Sequence, residues 1–326
     1  MLKLSKYLTD NFFKSFFTLF SVLFIIASMV LLLTISNMTA VLKINISEFL
    51  YLYVLSLPEI IFYTLPLTFF ITAAISIAKL FENSELIMVL SLGTPPKKIV
   101  RPFLYIAISI TFLLLIITFL SIPTSNILFK NFINTKKTES QFNLMPSSIG
   151  QKIGNWSVFI KNKNKNTYKD IILYNSKKNV LIFAKKAHTF RNHNYFVLSL
   201  KNGNLYQSND GKLLKLNFNK LDLNQKISIT PLSFNSIAQY IKLYIYKTNK
   251  YLIIAFFPII GFLFLSSISF FHNRYQKNNT IIYAMIISIA YYTTVFITFK
   301  KLYAILIIIP IFIIMSQILK RRIKRF

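Results

Sequence analysis

FENSELIMVLSLGTPPKK, residues 81–98, separates two uninterrupted apolar runs, Ile60–Ala78 and Phe103–Ile122. Each run reaches the roughly 17–25 residues needed to cross a hydrocarbon core about 30 Å thick. The stretch between them is therefore a short loop at one membrane surface, and the side it occupies sets the topology of the whole chain. It also holds two of only nine acidic side chains, Glu82 and Glu85, among flanking lysines.

Outward from this loop, further charge-free runs cover Ser15–Ser36, Tyr251–Phe271, Thr280–Phe299 and Leu302–Leu319, which makes six expected spans. Basic side chains outnumber acidic ones 38 to 9. Long apolar runs together with that charge point to a membrane protein and away from a nucleic-acid binder. Lys3, Lys6 and Lys14 precede the first run as they would in a signal peptide. Its length exceeds a signal core of about 7–15 residues and no small-x-small site follows, so it reads as a retained span. There is no cysteine, hence neither disulfide nor thiolate metal site.

Short-loop charge gives the orientation, because cytoplasmic flanks collect Lys and Arg. Lys3, Lys6, Lys14, Lys79, Lys97, Lys98, Arg101, Arg274, Lys277, Lys320, Arg321, Arg322, Lys324 and Arg325 lie on one side. Only Lys43, Lys300 and Lys301 occupy the opposite short flanks. Both termini and the 81–101 loop are expected in the cytoplasm, with the long segment from about 125 to 250 outside. In a bacterial inner membrane that outside is the periplasm.

The outer segment reads as all-β. NWSVFIK, YKDIILYN, NVLIFAKKA, NYFVLSLKN, NLYQSN and KLLKLNFN are short strand-like runs. Leu214, Leu216 and Phe218 alternate with polar residues, the period of a half-buried strand. Asn202-Gly203 and Asp210-Gly211 fit hairpin turns, and KNKNKNT at 161–167 a solvated loop tip. Ile237, Tyr240, Ile241, Tyr244 and Ile245 recur at helical spacing and suggest an amphipathic connector leading back to the bilayer. The expected organisation is membrane α-helical with six transmembrane helices and one inserted all-β domain. Residues 1–124 hold spans 1–3, 125–233 the β domain, and 234–326 the connector, spans 4–6 and a basic tail.

Within the opening stretch, Asn83 or Ser84 suits a helix cap, Glu85 the first turn, and Leu86, Ile87, Val89 and Leu90 an apolar side. Gly93 and Pro95-Pro96 stop it. A short helix over about 82–93 is expected to lie at the cytoplasmic surface. Glu85 there either complements the helix dipole or meets a soluble partner whose movement levers spans 2 and 3. Pro58, Pro66, Pro258 and Gly261 mark interruptions in spans 2 and 4, as hinges or as fixed kinks.

Catalysis within the chain finds no support. The six glycines never form G-x-x-x-x-G-K, and His188, His193 and His272 lie in different contexts with no metal-ligand spacing. Trp156 reads as core. Lys43, Lys130, Lys136, Lys137, Lys300 and Lys301 flank the outer boundary. They either snorkel to the interface or meet lipid phosphates, for which an ammonium is a compact point charge.

The order of elements around this loop resembles the LptF/LptG permease family, the membrane subunits of the lipopolysaccharide exporter. Leu65-Pro66-Leu67, Ser84-Glu85-Leu86, Leu92-Gly93 and Pro102 carry the resemblance, which extends over the whole chain. It implies a β-jellyroll-like periplasmic domain and a coupling helix whose acidic residue, at the position of Glu85, engages an LptB-type ATPase dimer. Glu82 and Leu86 are its neighbours. Where many relatives have a Gly-Arg pair between spans 4 and 5, this chain reads HNRYQKNN, and Arg274 keeps the basic role.

The resemblance further implies a second LptF/LptG half, LptC/LptA-type periplasmic partners, and extraction of lipopolysaccharide from the outer leaflet of the inner membrane. No cofactor is expected in this chain, since the partner hydrolyses the ATP. The overall pattern leans to LptF over LptG without one deciding residue. A rival reading is a membrane-anchored β scaffold or receptor that recruits periplasmic partners. A secondary transporter is disfavoured, because the apolar runs carry no ionisable residue.

Overall fold

Apolar runs without a charged break fold as helices that outlast the bilayer. In the computed structural model, residues 2–39, 42, 44–82, 85–91, 96–142, 151–153, 155–164, 167–192, 194–209, 212–269 and 280–298 are described. Helix α1 is Leu2–Thr39 and α2 Ile46–Glu82. At 1.5 Å per residue each is about 55 Å long, well beyond the hydrocarbon thickness. Helix α3 is Glu85–Ser91. Helix α4, Pro96–Ile116, passes through a π-helical turn at Ile117–Ser121 straight into α5, Ile122–Phe142.

After the sheet come α6 (Phe234–Leu243), α7 (Ile245–Ala255), α8 (Phe257–Ser269) and α9 (Thr280–Thr298). Among the described residues four helical stretches are long and apolar enough to cross a membrane: Ser5–Thr39, Ile46–Leu80, Arg101–Ser140 and Thr280–Ile297. The expected run at 251–271 is divided at Phe256. Pro258 follows two residues on and has no N–H for the Ile254 carbonyl. By contrast, Pro58 and Pro66 lie inside α2 without ending it. The expected span at 302–319 lies outside the described residues.

The chain divides into two packed units, residues 1–35, 51–126 and 232–326, and residues 36–50 and 127–231. In the first, α2 is the buried centre. Phe12, Phe69, Phe70, Ala73, Ile77 and Phe103 form one core, and Phe62, Leu114, Ile122, Ile254 and Val295 a second. The hydroxyls of Thr64, Thr68 and Thr72 donate to the carbonyls four residues earlier, at 3.0, 2.7 and 2.6 Å. That satisfies polar groups which would otherwise be costly in an apolar interior. Gly261 lets α8 approach α2, since a Cβ there would lie 2.8 Å from Phe70 Cδ2.

The second unit is a six-stranded antiparallel meander of β1 (Gln151–Ile153), β2 (Trp156–Asn164), β3 (Thr167–Asn175), β4 (Val180–Asn192), β5 (Tyr195–Asn209) and β6 (Lys212–Lys226). Its core gathers Phe142, Val158, Ile160, Tyr168, Ile171, Leu173, Leu198 and Leu200, with Trp156 packed against them. The middle of α5 clamps the chain leaving β6. Asn131 donates to the Thr230 carbonyl at 2.8 Å and accepts from its N–H at 2.9 Å, and Asn134 donates to the Ser228 carbonyl.

Several expectations change here. Asn202-Gly203 is not a turn: β5 runs through it unbroken, joining two runs that read as separate strands. Residues 161–167 are mostly strand, with Asn164 paired to Thr167. Leu214 and Leu216 are exposed rather than half-buried, because β6 is a sheet edge. Among the described strands every neighbour in the sheet is a neighbour in sequence, so the crossovers that define a jellyroll do not occur there. The expected amphipathic connector does form as α6, with a Ser233–Ser236 capping box, and it ends at Tyr244.

The sheet also carries a transverse crease. Inward residues recur every second position on either side of it but stand three apart across it: Tyr168 and Ile171, Ala184 and Ala187, Leu200 and Gly203, Phe218 and Leu221. Two consecutive exposed residues fill each gap. Asp170 and Asn202, both at φ 51°, absorb the change of face. Asx residues tolerate that left-handed region best after glycine.

Candidate functional site

Seven residues are too few for an isolated helix to persist, so α3 depends on what it packs against. Val89 packs on the first core cluster, while the neighbouring Met88 is 63% exposed. Glu85 opens the helix, where a carboxylate suits the N-terminal partial charge. Its Oε2 accepts the Tyr7 hydroxyl at 3.1 Å, which ties α3 to the start of α1. Within the expected 82–93 stretch the described helix covers Glu85–Ser91, with a half-buried acid, an exposed apolar side chain and an anchor on the helix bundle. Glu82 is the last residue of α2 and Leu86 lies within α3; their side chains are outside the described residues, as are Arg274, Lys43, Lys300 and Lys301 altogether.

Of the remaining basic candidates, Lys130 and Lys137 are exposed on α5. Lys136 is not held out to a ligand. Its ammonium lies 2.7 Å from Glu48 and 3.1 Å from Glu139, so two carboxylates of the chain itself neutralise it. Such a triad fixes the start of α2 against α5 within the second unit.

Sequence reasoning missed a cluster built where α2, α7 and α9 meet. Tyr251 donates its hydroxyl to Glu59 Oε1 at 2.9 Å. The Lys250 ammonium stands over the rings of Tyr63, Tyr251 and Phe296 at 5.2, 5.2 and 4.9 Å. Tyr291 and Tyr292 tie the same elements by donating to the Ile253 and Tyr63 carbonyls at 2.7 and 3.0 Å. An ammonium over ring faces gains about 0.5–2 kcal/mol per contact as water is excluded. Glu59 and Lys250 each stand one residue before an apolar run, so a search for charges within the runs passes over both. The residue signal was the tyrosines that follow them.

The exposed edge of the sheet is the last feature with a chemical consequence. β6 leaves one side of its 15-residue backbone without a strand partner among the described residues, with Leu213, Leu214 and Leu216 exposed beside it. An edge of this kind is a template for strand addition. Among the described residues no three His, Asp or Glu side chains gather as a metal site.

Compared with known families, residues 6–319 match the model of the lipopolysaccharide export system permease LptF/LptG. No curated protein matches the chain.

Proposed function

This chain belongs to the LptF/LptG permease family of the lipopolysaccharide export system, and from that premise we propose that it is one transmembrane half of an ATP-driven exporter in the bacterial inner membrane. The observation that carries the reading is the family match across 6–319 combined with α3, a short surface helix inserted between two spans. Both termini and α3 face the cytoplasm, and the β unit faces the periplasm, as the distribution of basic flanks favours.

The work divides between chains. An LptB-type ATPase dimer binds and hydrolyses ATP, since this chain has no phosphate-binding loop of the G-x-x-x-x-G-K type. Its closure pushes α3 through Glu85 and Met88. Because Glu85 is bonded to Tyr7 and Val89 is packed on the bundle, that push reaches α1 and α2 together. With a second LptF/LptG half the bundle forms an apolar cavity, which takes lipopolysaccharide from the outer leaflet and narrows when ATP binds. Of the candidate lysines at the outer boundary, Lys130 and Lys137 are exposed and have no carboxylate partner among the described residues, which suits them to its phosphates. The β6 edge accepts a strand from an LptC/LptA-type bridge, which then carries the lipid onward.

The test is to purify the chain with the companion half and candidate cytoplasmic ATPases, and to compare ATP turnover between wild type and Glu85→Lys. A transporter half loses assembly or coupling when the carboxylate is reversed. Unchanged complex yield and turnover would remove the coupling role.

A further inference from the structure

The crease places like charges side by side. Lys169, Lys186, Lys201 and Lys220 are direct cross-strand partners of one another on β3, β4, β5 and β6. Directly opposed side chains carry their Cβ atoms about 4.5–5.5 Å apart, and like charges in that position destabilise a sheet. Four in a row, all exposed, is therefore an arrangement the fold alone disfavours. Lys220 has an ion pair with Asp222 at 3.2 Å, and among the described residues the other three have none. Next to this row the ladder skips one residue on each strand, Lys161, Asp170, Lys185, Asn202 and Asn219, again exposed. The two rows together hold six lysines against one aspartate.

Alongside lies an open groove of 770 Å³. Phe159, Ile172 and Phe183 form its apolar part, the two rings 37% and 39% exposed. Asn202, Asn204, Asn217 and Asn219 form its polar part, and none makes a side-chain hydrogen bond to the described protein. Lys161, Asp170 and Lys185 supply its charged groups, and the crease residues Ile171, Ala184, Gly203 and Phe218 also line it. Most of its lining, from Phe159, Lys161, Asp170, Ile172, Phe183 and Lys185, alternates with the inward Ile160, Ile171 and Ala184 and so lies on the face of the sheet opposite the core cluster.

We propose that this creased outer face is a binding site for an acidic oligosaccharide. Each part of the chemistry has its counterpart. Exposed ring faces suit the C–H faces of sugars, paired amides donate to and accept from hydroxyls, and an ammonium ladder neutralises phosphate or carboxylate groups. With strands about 4.8 Å apart, the four ladder lysines span about 14 Å, the reach of a chain of several sugars rather than one small anion. Binding relieves the repulsion that the ladder stores. A lipid head or a free polysaccharide would present the same chemistry. The site is separate from α3 and does not depend on the role of Glu85.

The test uses the full chain in detergent, with binding measured by calorimetry. The probes are a deacylated phosphorylated core oligosaccharide, the same sugar after phosphatase, and a single-stranded DNA and a polyglutamate of matching charge. The phosphorylated sugar is expected to bind most tightly. Removing its phosphates, or introducing Lys186→Gln with Lys201→Gln, is expected to weaken it by about tenfold or more, as loss of charge-assisted hydrogen bonds would. Asn204→Ala with Asn217→Ala should weaken the sugar and leave DNA unchanged. The double Lys→Gln variant should melt higher than wild type at low salt, which separates lost binding from lost folding. Competition by the intact glycolipid would assign the sugar to a lipid head, and its failure to compete would assign it to a free polysaccharide; both uphold the site. Equal binding of DNA or polyglutamate, or indifference of the sugar to the lysine pair, would overturn it.

Discussion

Gly203→Ala is expected to open the β sheet by an amount the structure allows to be worked out. A Cβ at this position would lie 2.2 Å from the Phe183 carbonyl oxygen and 2.4 Å from Phe218 Cζ. The carbonyl belongs to the backbone beside the Ala184–Gly203 pair and cannot retreat without spoiling the ladder. Phe218 sits directly opposite on β6, packed against the core, and its ring has to shift as well. Overpacking of this kind costs about 1–3 kcal/mol. Alanine recovers about 0.4–1 kcal/mol by restricting the unfolded chain. Two simultaneous clashes place the overpacking near the top of its range, which leaves a net of about 2 kcal/mol destabilising. At 1.36 kcal/mol per factor of ten this raises the open population about 30-fold. Native-state hydrogen exchange of the full chain, read by mass spectrometry on peptides from β4 to β6, reports that population directly. Lys178→Ala, in the exposed turn between β3 and β4, serves as the control and should stay within about 0.5 kcal/mol. Exchange of β4–β6 within threefold of wild type in Gly203→Ala would refute the close-approach argument.

Other substitutions probe separate parts of the account. Gly261→Ala brings a Cβ to 2.8 Å from the Phe70 ring and is expected to cost about 1–3 kcal/mol, seen as a lower melting midpoint in detergent; an unchanged midpoint would mean α8 moves away freely. Asp222 titrates below the usual carboxylate range, held down by the Ser199 hydroxyl facing it and by Lys220 at 3.2 Å. A depressed folded pKa contributes stability that is present above the unfolded value of about 3.9 and is lost as pH falls through the folded one. The difference in melting midpoint between wild type and Asp222→Asn should accordingly shrink below about pH 4, and a difference constant down to pH 2.5 would contradict it. Lys136→Met strands Glu48 and Glu139 together and should lower the melting midpoint, whereas the restoring triple change with Glu48→Gln and Glu139→Gln should recover most of the loss.

What could be read from the residues alone was whatever repeats with a regular period or a long run. The spans at 15–36, 60–78, 103–122 and 280–299 stand out because nothing charged interrupts them, and α3 because Asn-Ser precedes and Gly-Thr-Pro-Pro follows it. Pairings across long sequence distances left no local trace. Tyr251 meets Glu59 across 192 positions, and Lys136 meets Glu48 across the whole of α2 and α4, so neither a half-buried, hydrogen-bonded acid nor a neutralised lysine was evident. The crease was misread for a subtler reason. A strand that changes face loses its period of two for one step, and in β5 the step falls on Asn-Gly, the pair most typical of hairpin turns. The signal lay in comparing strands: YKDI, AKKA, LKNG and FNKL each place two polar residues between two inward ones. Leu214 and Leu216 alternate correctly but have no second layer to cover them on an edge strand.

The account rests on α3 and the β sheet lying on opposite sides of one membrane. The chain has no cysteine, so Met88→Cys, 63% exposed on α3, and Ser176→Cys, exposed in the turn before β4, each create a unique thiol. A membrane-impermeant maleimide applied to outer-membrane-permeabilised cells and to inverted inner-membrane vesicles reads the side of each. The account predicts that position 176 reacts only in cells and position 88 only in inverted vesicles, where added ATPase partner protects it. Labelling of both positions from the same side would contradict it.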